Sequence, residues 1–183
     1  MIELLMVVAI IGIVAAVAIP SFEPTVHDQL QSAARLISED VSYARNLAVA
    51  YNSKYLLTFD LTQNRYVLQH SGSNSALNTL PASPSHNPSD PADRQIVRMS
   101  DALGPGVTVR LFAVYALSTP AQAAGDVEFG PLGETTRSEE TIVWLAAGAG
   151  TTERFLSVRV NPVTGICRTG AFQGQRPSLG SPG

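Results

Sequence analysis

The first twenty residues, MIELLMVVAIIGIVAAVAIP, form an almost unbroken apolar run with one carboxylate, Glu3, near its start. Leu4 to Ile19 carries no charge and no strong hydrogen-bonding side chain. A run of this length suits one membrane span. An ionised carboxylate beside it costs about 3 kcal/mol on insertion scales and so calls for a partner. An apolar helix with an acid at one end, leading into a water-soluble domain, points to an assembly element rather than an enzyme.

Composition limits the other readings. Charged residues make up 15% of the 183 residues, against about 25% in soluble proteins, and the apolar start explains part of the deficit. The formal net charge of −3 gives no global positive field and disfavours nucleic acid as a partner. Cys167 is the only cysteine, which excludes an internal disulfide and a Cys-rich metal site. A cleaved secretory signal is the rival reading of the start, since Ala15-Ala16-Val17-Ala18 offers small residues to a peptidase. Against it, the run has no basic leader and exceeds the usual ~7–15-residue apolar core.

The helical pattern continues past this segment. Val26, Leu30, Ala33, Ile37, Val41, Ala44, Ala48 and Tyr51 recur at spacings of three and four. Gln29, Gln31, Arg35, Glu39, Asp40, Arg45 and Asn46 fill the remaining surface, which is the pattern of a helix with one face on a core. Pro20 and Pro24 predict a kink between the two halves. A helix of ~50 residues would be ~75 Å long, so its first half must protrude as a stalk.

The rest reads as short strands and turns. Residues 55–61 and 65–70 flank Thr62-Gln63-Asn64 as a hairpin, and residues 107–117, 126–130, 141–146, 155–160 and 166–168 supply further strands. Residues 71–93 carry four prolines among Ser and Asn and predict an exposed loop. The expected organisation is a transmembrane or filament-core half-helix over 1–22, an amphipathic half over 23–52, a β head over 53–170 and a disordered tail over 171–183. The fold class is α+β, a long N-terminal helix packed by its second half on an antiparallel sheet. Trp144, Phe129, Phe112 and Phe155 are the expected core aromatics, and Cys167 a small buried hydrophobe.

The segment Ile2-Glu3-Leu4-Leu5, the apolar run to Ile19 and Pro20 resemble the methylated N-terminal region of type IV pilins and type II secretion pseudopilins. Leu36 to Ala48, Glu128-Phe129-Gly130-Pro131-Leu132-Gly133 and Val158 to Arg168 resemble, in order, the head motifs of the GspH/FimT family. The resemblance implies the type IV pilin fold and a subunit without cofactor or active site. It implies a single-pass bacterial inner-membrane protein with its head in the periplasm, which becomes a filament subunit after assembly. Its partners would be other pilins or pseudopilins, an inner-membrane assembly platform, and prepilin peptidase on the full-length precursor. In that family the acid at the place of Glu3 neutralises a neighbour's N-terminal amine, with Leu4 and Leu5 beside it. Met1 stands where the family usually has leucine, and the basic leader is missing. The expectation is a start codon assigned too late, or a fragment.

Gly12 and Ala16, four apart, form a small-residue face for close helix approach. The leading functional expectation is a minor pseudopilin of the type II secretion pseudopilus, supporting protein export. The second is a FimT-like minor pilin that primes a type IV pilus or binds DNA for uptake, with Arg154, Arg159, Arg168 and Arg176 as a weak phosphate-contacting set. The third is a secreted binding module or enzyme with a cleaved signal. No catalytic or metal site is expected. His27, His70 and His86 lack ligand spacing, Asp90 and Asp93 lack the regular calcium pattern, and no serine has a nucleophile-elbow context.

Overall fold

In a computed structural model, described for residues 2–18, 25–81, 83 and 87–178, the chain begins with two helices, α1 (Ile2–Ala18) and α2 (Val26–Ala50). Pro20, Pro24 and the kink expected there lie outside the described residues, as does His86. A capping box starts α2. The Thr25 hydroxyl accepts from the Asp28 amide, and the Asp28 carboxylate accepts in return from the Thr25 amide, both at 3.2 Å. These bonds from Thr25 hold the Asp28 carboxyl below its ordinary pKa.

The buried face of α2 includes Leu30, Ala33, Ile37, Val41, Ala44 and Ala48, as its spacing predicts. Three details differ. Tyr51 is the C-cap and is exposed rather than packed. Gln29 and Asp40, expected on the polar face, are buried. The helix covers two sheets at once, so its buried sector is wider than one apolar stripe. Its polar members are satisfied from the sheets: Asp40 accepts from the Tyr66 hydroxyl at 2.6 Å and from Gln95 at 3.3 Å, and Gln29 accepts from the Thr108 amide at 3.1 Å.

Strands β1 (Tyr55–Asp60), β2 (Arg65–His70), β3 (Arg94–Arg98) and β6 (Asp126–Phe129) form one antiparallel sheet in the order β3-β2-β1-β6. Strands β4 (Arg110–Ala116), β5 (Gln122–Ala123), β7 (Thr141–Ala147), β8 (Arg154–Val160) and β9 (Cys167–Thr169) form the second, in the order β5-β4-β7-β8-β9. A one-turn helix α3 (Met99–Leu103) follows β3. The β1–β2 hairpin pairs Asp60 with Arg65 across its turn, and Asn64, at φ 48°, closes it. The Asn64 side chain donates to the Val109 carbonyl and accepts from the Leu111 amide, tying the hairpin to β4 of the other sheet.

All seven residues of β7 are buried, so both of its faces are covered. Val143, Leu145 and Ala147 join the main core that includes α2. Ile142, Trp144 and Ala146 form a second cluster with Ala113 and Phe155, against which Phe112, Tyr115 and Leu117 pack.

The C-terminal stretch departs from the expected disorder over residues 171–178. Gly170 donates to the Ser157 carbonyl, and Gln173 exchanges two 2.9 Å backbone bonds with Phe155 of β8. Phe172 stacks on His27 of the first turn of α2 at 3.6 Å between ring centroids, and the Arg176 guanidinium stands 4.9 Å from the centroid of the Phe112 ring. Pro177 is buried. The polar composition of this stretch hides the fact that β8 leaves backbone groups open for Gln173 to pair with.

Candidate assembly helix and head surfaces

The described side chains of α1, from Ile2 to Gly12, are all exposed. Ile2 is 86% exposed, Leu4 and Leu5 about 70%, and Ile10 and Ile11 remain more than half open. Glu3, on the first turn, is the only charged residue of α1. A β-carbon at Gly12 would meet nothing within 4 Å, so that position is open to a neighbouring helix. The side chain of Ala16 lies outside the described residues. The 17 described residues of α1 extend about 25 Å, short of a ~30 Å hydrocarbon core. Among the described residues, no helix is long and apolar enough to cross a membrane.

The three head segments that carry the family resemblance meet at Arg45. Its Nε donates to the Thr164 carbonyl at 2.7 Å, and its guanidinium lies against Gly133. Gly165, at φ 63°, sits so close to the Gly133 carbonyl that a β-carbon there would overlap it. The Thr135 amide donates to the Pro162 carbonyl at 2.7 Å, closing the two turns on each other. This junction leaves Leu132, Val163 and Ile166 exposed on adjoining turns.

The four C-terminal-half arginines do not form one patch. Arg159 is half-buried beside Glu140, at 3.9 Å, and is paired in register with Arg168. Arg154 stands five residues away at the other end of β8, about 17 Å along the strand. It lies beside Gly174 and donates to the carbonyls of Thr151 and Glu153. Arg176 approaches from the tail and shares the Phe112 ring with Arg110, whose guanidinium is 5.2 Å from the centroid. Arg110, which the sequence reading did not single out, is ion-paired with Glu153. Its neighbours are brought to it by the pairing of β4 with β7 and β7 with β8, which no local pattern encodes.

Asp90 and Asp93 each face an arginine, Arg98 at 3.4 Å and Arg94 at 2.8 Å. Among the described residues, no group of three or more His, Cys, Asp or Glu side chains is arranged to hold a metal ion. One chain of side chains does bear on His70. Ser53 Oγ lies 2.7 Å from His70 Nε2, and His70 Nδ1 lies 2.8 Å from Asn78 Oδ1. The Gly72 backbone presses on this trio. A β-carbon there would overlap Ser53 Oγ and lie 2.8 Å from His70 Nε2, so the hydroxyl is covered on that side. The trio acts as a latch that fixes the start of the 71–93 loop to the α2–β1 junction. Gly72→Ala is expected to lower stability by about 1–3 kcal/mol through this overlap, read as an earlier midpoint in urea. An unchanged midpoint would show that the latch yields without cost.

Cys167 of β9 is half-buried, and burial pushes its thiol up to about 12, opposed only by a hydrogen bond from Ser38. The folded thiol stays protonated where an unfolded one ionises, so this contribution is complete below about pH 9 and lost as pH rises towards 12. Wild type should therefore lose about 1.4 kcal/mol per pH unit relative to Cys167→Ala over that window. Parallel stability–pH curves for the two proteins would refute this.

A long N-terminal helix followed by an amphipathic helix laid over antiparallel sheets is the type IV pilin fold. Among solved structures, the minor pseudopilin EpsH from the type 2 secretion system of Vibrio cholerae matches with a TM-score of 0.54 at 11% identity, over 79% of this chain and 98% of that one. The type IV minor pilin FimU of Pseudomonas aeruginosa matches with a TM-score of 0.48 at 16% identity, over 85% of this chain and 97% of that one. No protein-family model and no curated protein sequence matches the chain.

Proposed function

We propose that the chain is a structural subunit of a pilin-like filament, a minor pseudopilin of GspH type in a type II secretion pseudopilus. The observation that carries this reading is the contrast within one chain. The head buries most of its aromatic and aliphatic side chains, whereas α1 holds Ile2, Leu4, Leu5, Ile10 and Ile11 open to the outside. An apolar surface of that extent needs lipid or other helices around it. The subunit would wait in the inner membrane with its head in the periplasm, after prepilin peptidase has processed and methylated the precursor. It would then be passed by the assembly platform into a filament, with Glu3 setting register and Gly12 and Ala16 permitting close approach. The work is done by burial and contact, with no catalysis.

The test is fractionation of the native host producing the tagged full-length precursor. The chain should co-sediment with sheared filaments or with the assembly platform, and its deletion should leave exported proteins trapped in the periplasm. Loss of surface pili with export intact would transfer the chain to the type IV pilus reading. A mature N-terminus near residue 20 and free release of the head would sink both and restore the secreted-module reading.

A further inference from the structure

The pole of the head from which the chain leads back to α1 carries a cluster of cations on a protein whose net charge is negative. Thr25, Val26 and His27 open α2, and with Thr152, Arg154 and Phe172 they line one shallow pocket of about 390 Å³. Arg154 adjoins the tail at Gly174, the tail carries Arg176 to Phe112, and Phe112 is flanked on its other approach by Arg110. Three guanidiniums thus gather beside the neck. Arg154 and Arg176 are exposed and Arg110 is 46% exposed. The carboxylates nearby are Glu153, which pairs with Arg110, and Asp28, which is engaged with Thr25 on the first turn of α2. The N-terminal end of α2 adds the positive end of its dipole. None of this is local in sequence, since the arginines come from β4, β8 and the tail.

We propose that this neck cluster docks the head on the phosphate-bearing face of an anionic bilayer, holding the unassembled subunit upright over the membrane that α1 enters. The inference rests on the placement of α1 in lipid proposed above. Two observations single out a lipid surface. Guanidinium is the side-chain group best matched to phosphate oxygens, in charge and in fork geometry. Continuity supplies the second: the seven peptide steps from Ala18 to Thr25 span at most about 25 Å, so the neck cannot leave the neighbourhood of the apolar helix. The exposed Leu132, Val163 and Ile166 sit at the Arg45 level, about 27 Å further along α2. The head therefore presents cations towards the stalk and an apolar patch away from it. Each basic residue held near an anionic surface strengthens the contact about fivefold; with Glu153 offsetting one of the three guanidiniums, the cluster as a whole is worth about twenty-fivefold. On assembly α1 leaves the bilayer, and the same cluster is freed from the lipid phosphates.

The experiment uses the full chain with Cys167→Ser and one fluorophore, at Thr151→Cys beside the cluster or at Leu132→Cys on the far patch. It is reconstituted in phosphatidylcholine vesicles, with or without about 30% phosphatidylglycerol, carrying a headgroup quencher in both leaflets. Quenching at residue 151 should rise severalfold with phosphatidylglycerol and fall back at about 0.5 M salt. It should also vanish in Arg110→Gln/Arg154→Gln/Arg176→Gln, while residue 132 stays unquenched throughout. Circular dichroism of the triple variant confirms that it is folded; were it not, the three single variants, each costing about fivefold, replace it. Equal quenching in both lipids, or no response to the glutamines, overturns the proposal. Retention of duplex DNA by the three arginines without dependence on phosphatidylglycerol overturns it in favour of a nucleic-acid surface. Vesicle flotation separates the two readings: a chain that fails to float removes the membrane placement of α1 and this inference with it, while one that floats without lipid-dependent quenching removes this inference alone.

Discussion

Trp144→Ala should cost the head about 3–5 kcal/mol of unfolding free energy, the usual range for deleting a fully buried large aromatic side chain. Trp144 is 1% exposed and lies on the central strand β7, on the face opposite α2. Its cluster is small: Ala113, Ile142, Ala146 and Phe155 are the other buried members. Few side chains surround the site, and the backbone around it is fixed by β4 and β8 on both sides, so collapse into the cavity is restricted. At roughly 2–4 °C per kcal/mol for a chain of this size, the melting temperature of the full chain in detergent should fall by about 10 °C. Trp144→Phe, which keeps the ring and loses part of the volume, should fall between. A melting temperature within a degree or two of wild type for Trp144→Ala would mean that this face is not a packed core.

Most of the fold was legible because its signals are local. The 3.6-residue period of α2 and the hairpin turn at Asn64 are both readable within a few residues, whereas the capping pair Thr25 and Asp28 was not picked out. What was missed depends on partners distant in the chain. Strand β3 escaped notice because one of its two inward positions is Gln95, a polar side chain whose burial makes sense only once Asp40 of α2 stands opposite. Asp40 was misplaced on the polar face for the same reason. The tail read as disordered from its Gly, Pro and Ser content, yet Gln173 pairs with Phe155 and Phe172 finds His27. The candidate site divides along the same line. The apolar run with its single acid is visible in the first twenty residues. Of the neck arginines, Arg154 and Arg176 stand in the phosphate-contacting set read from sequence, but Arg110 and the grouping do not, because Arg110 and Arg176 become neighbours only through the ring of Phe112 between them.

The head is tied together by packing and hydrogen bonds, whereas the described side chains of α1 are open. Arg45 binds the 161–165 turn to α2, and Gly165 packs on the Gly133 carbonyl, so the three family-like segments form one junction. In the proposed filament, such a junction would let the head follow whatever register the helix adopts.

Glu3→Ala should therefore separate assembly from folding. In the proposed filament the carboxylate meets a cation among apolar helices, and removing one partner of such a buried pair costs about 3–5 kcal/mol because the other charge is left unpaired. At about 1.4 kcal/mol per tenfold, incorporation into sheared filaments should drop at least a hundredfold. Glu3→Gln, which keeps the shape and acceptor oxygen but not the charge, should behave nearly as badly. The melting temperature of the head should not move in either variant, since the described side chains of α1 are exposed and lend the head no core. Membrane insertion should improve slightly, because the helix loses its only charge. Wild-type incorporation of both variants would sink the charge-pairing role and leave Glu3 as an acid solvated at the membrane surface. Loss of incorporation together with a lowered melting temperature would instead point to a contact between the first turn of α1 and the head.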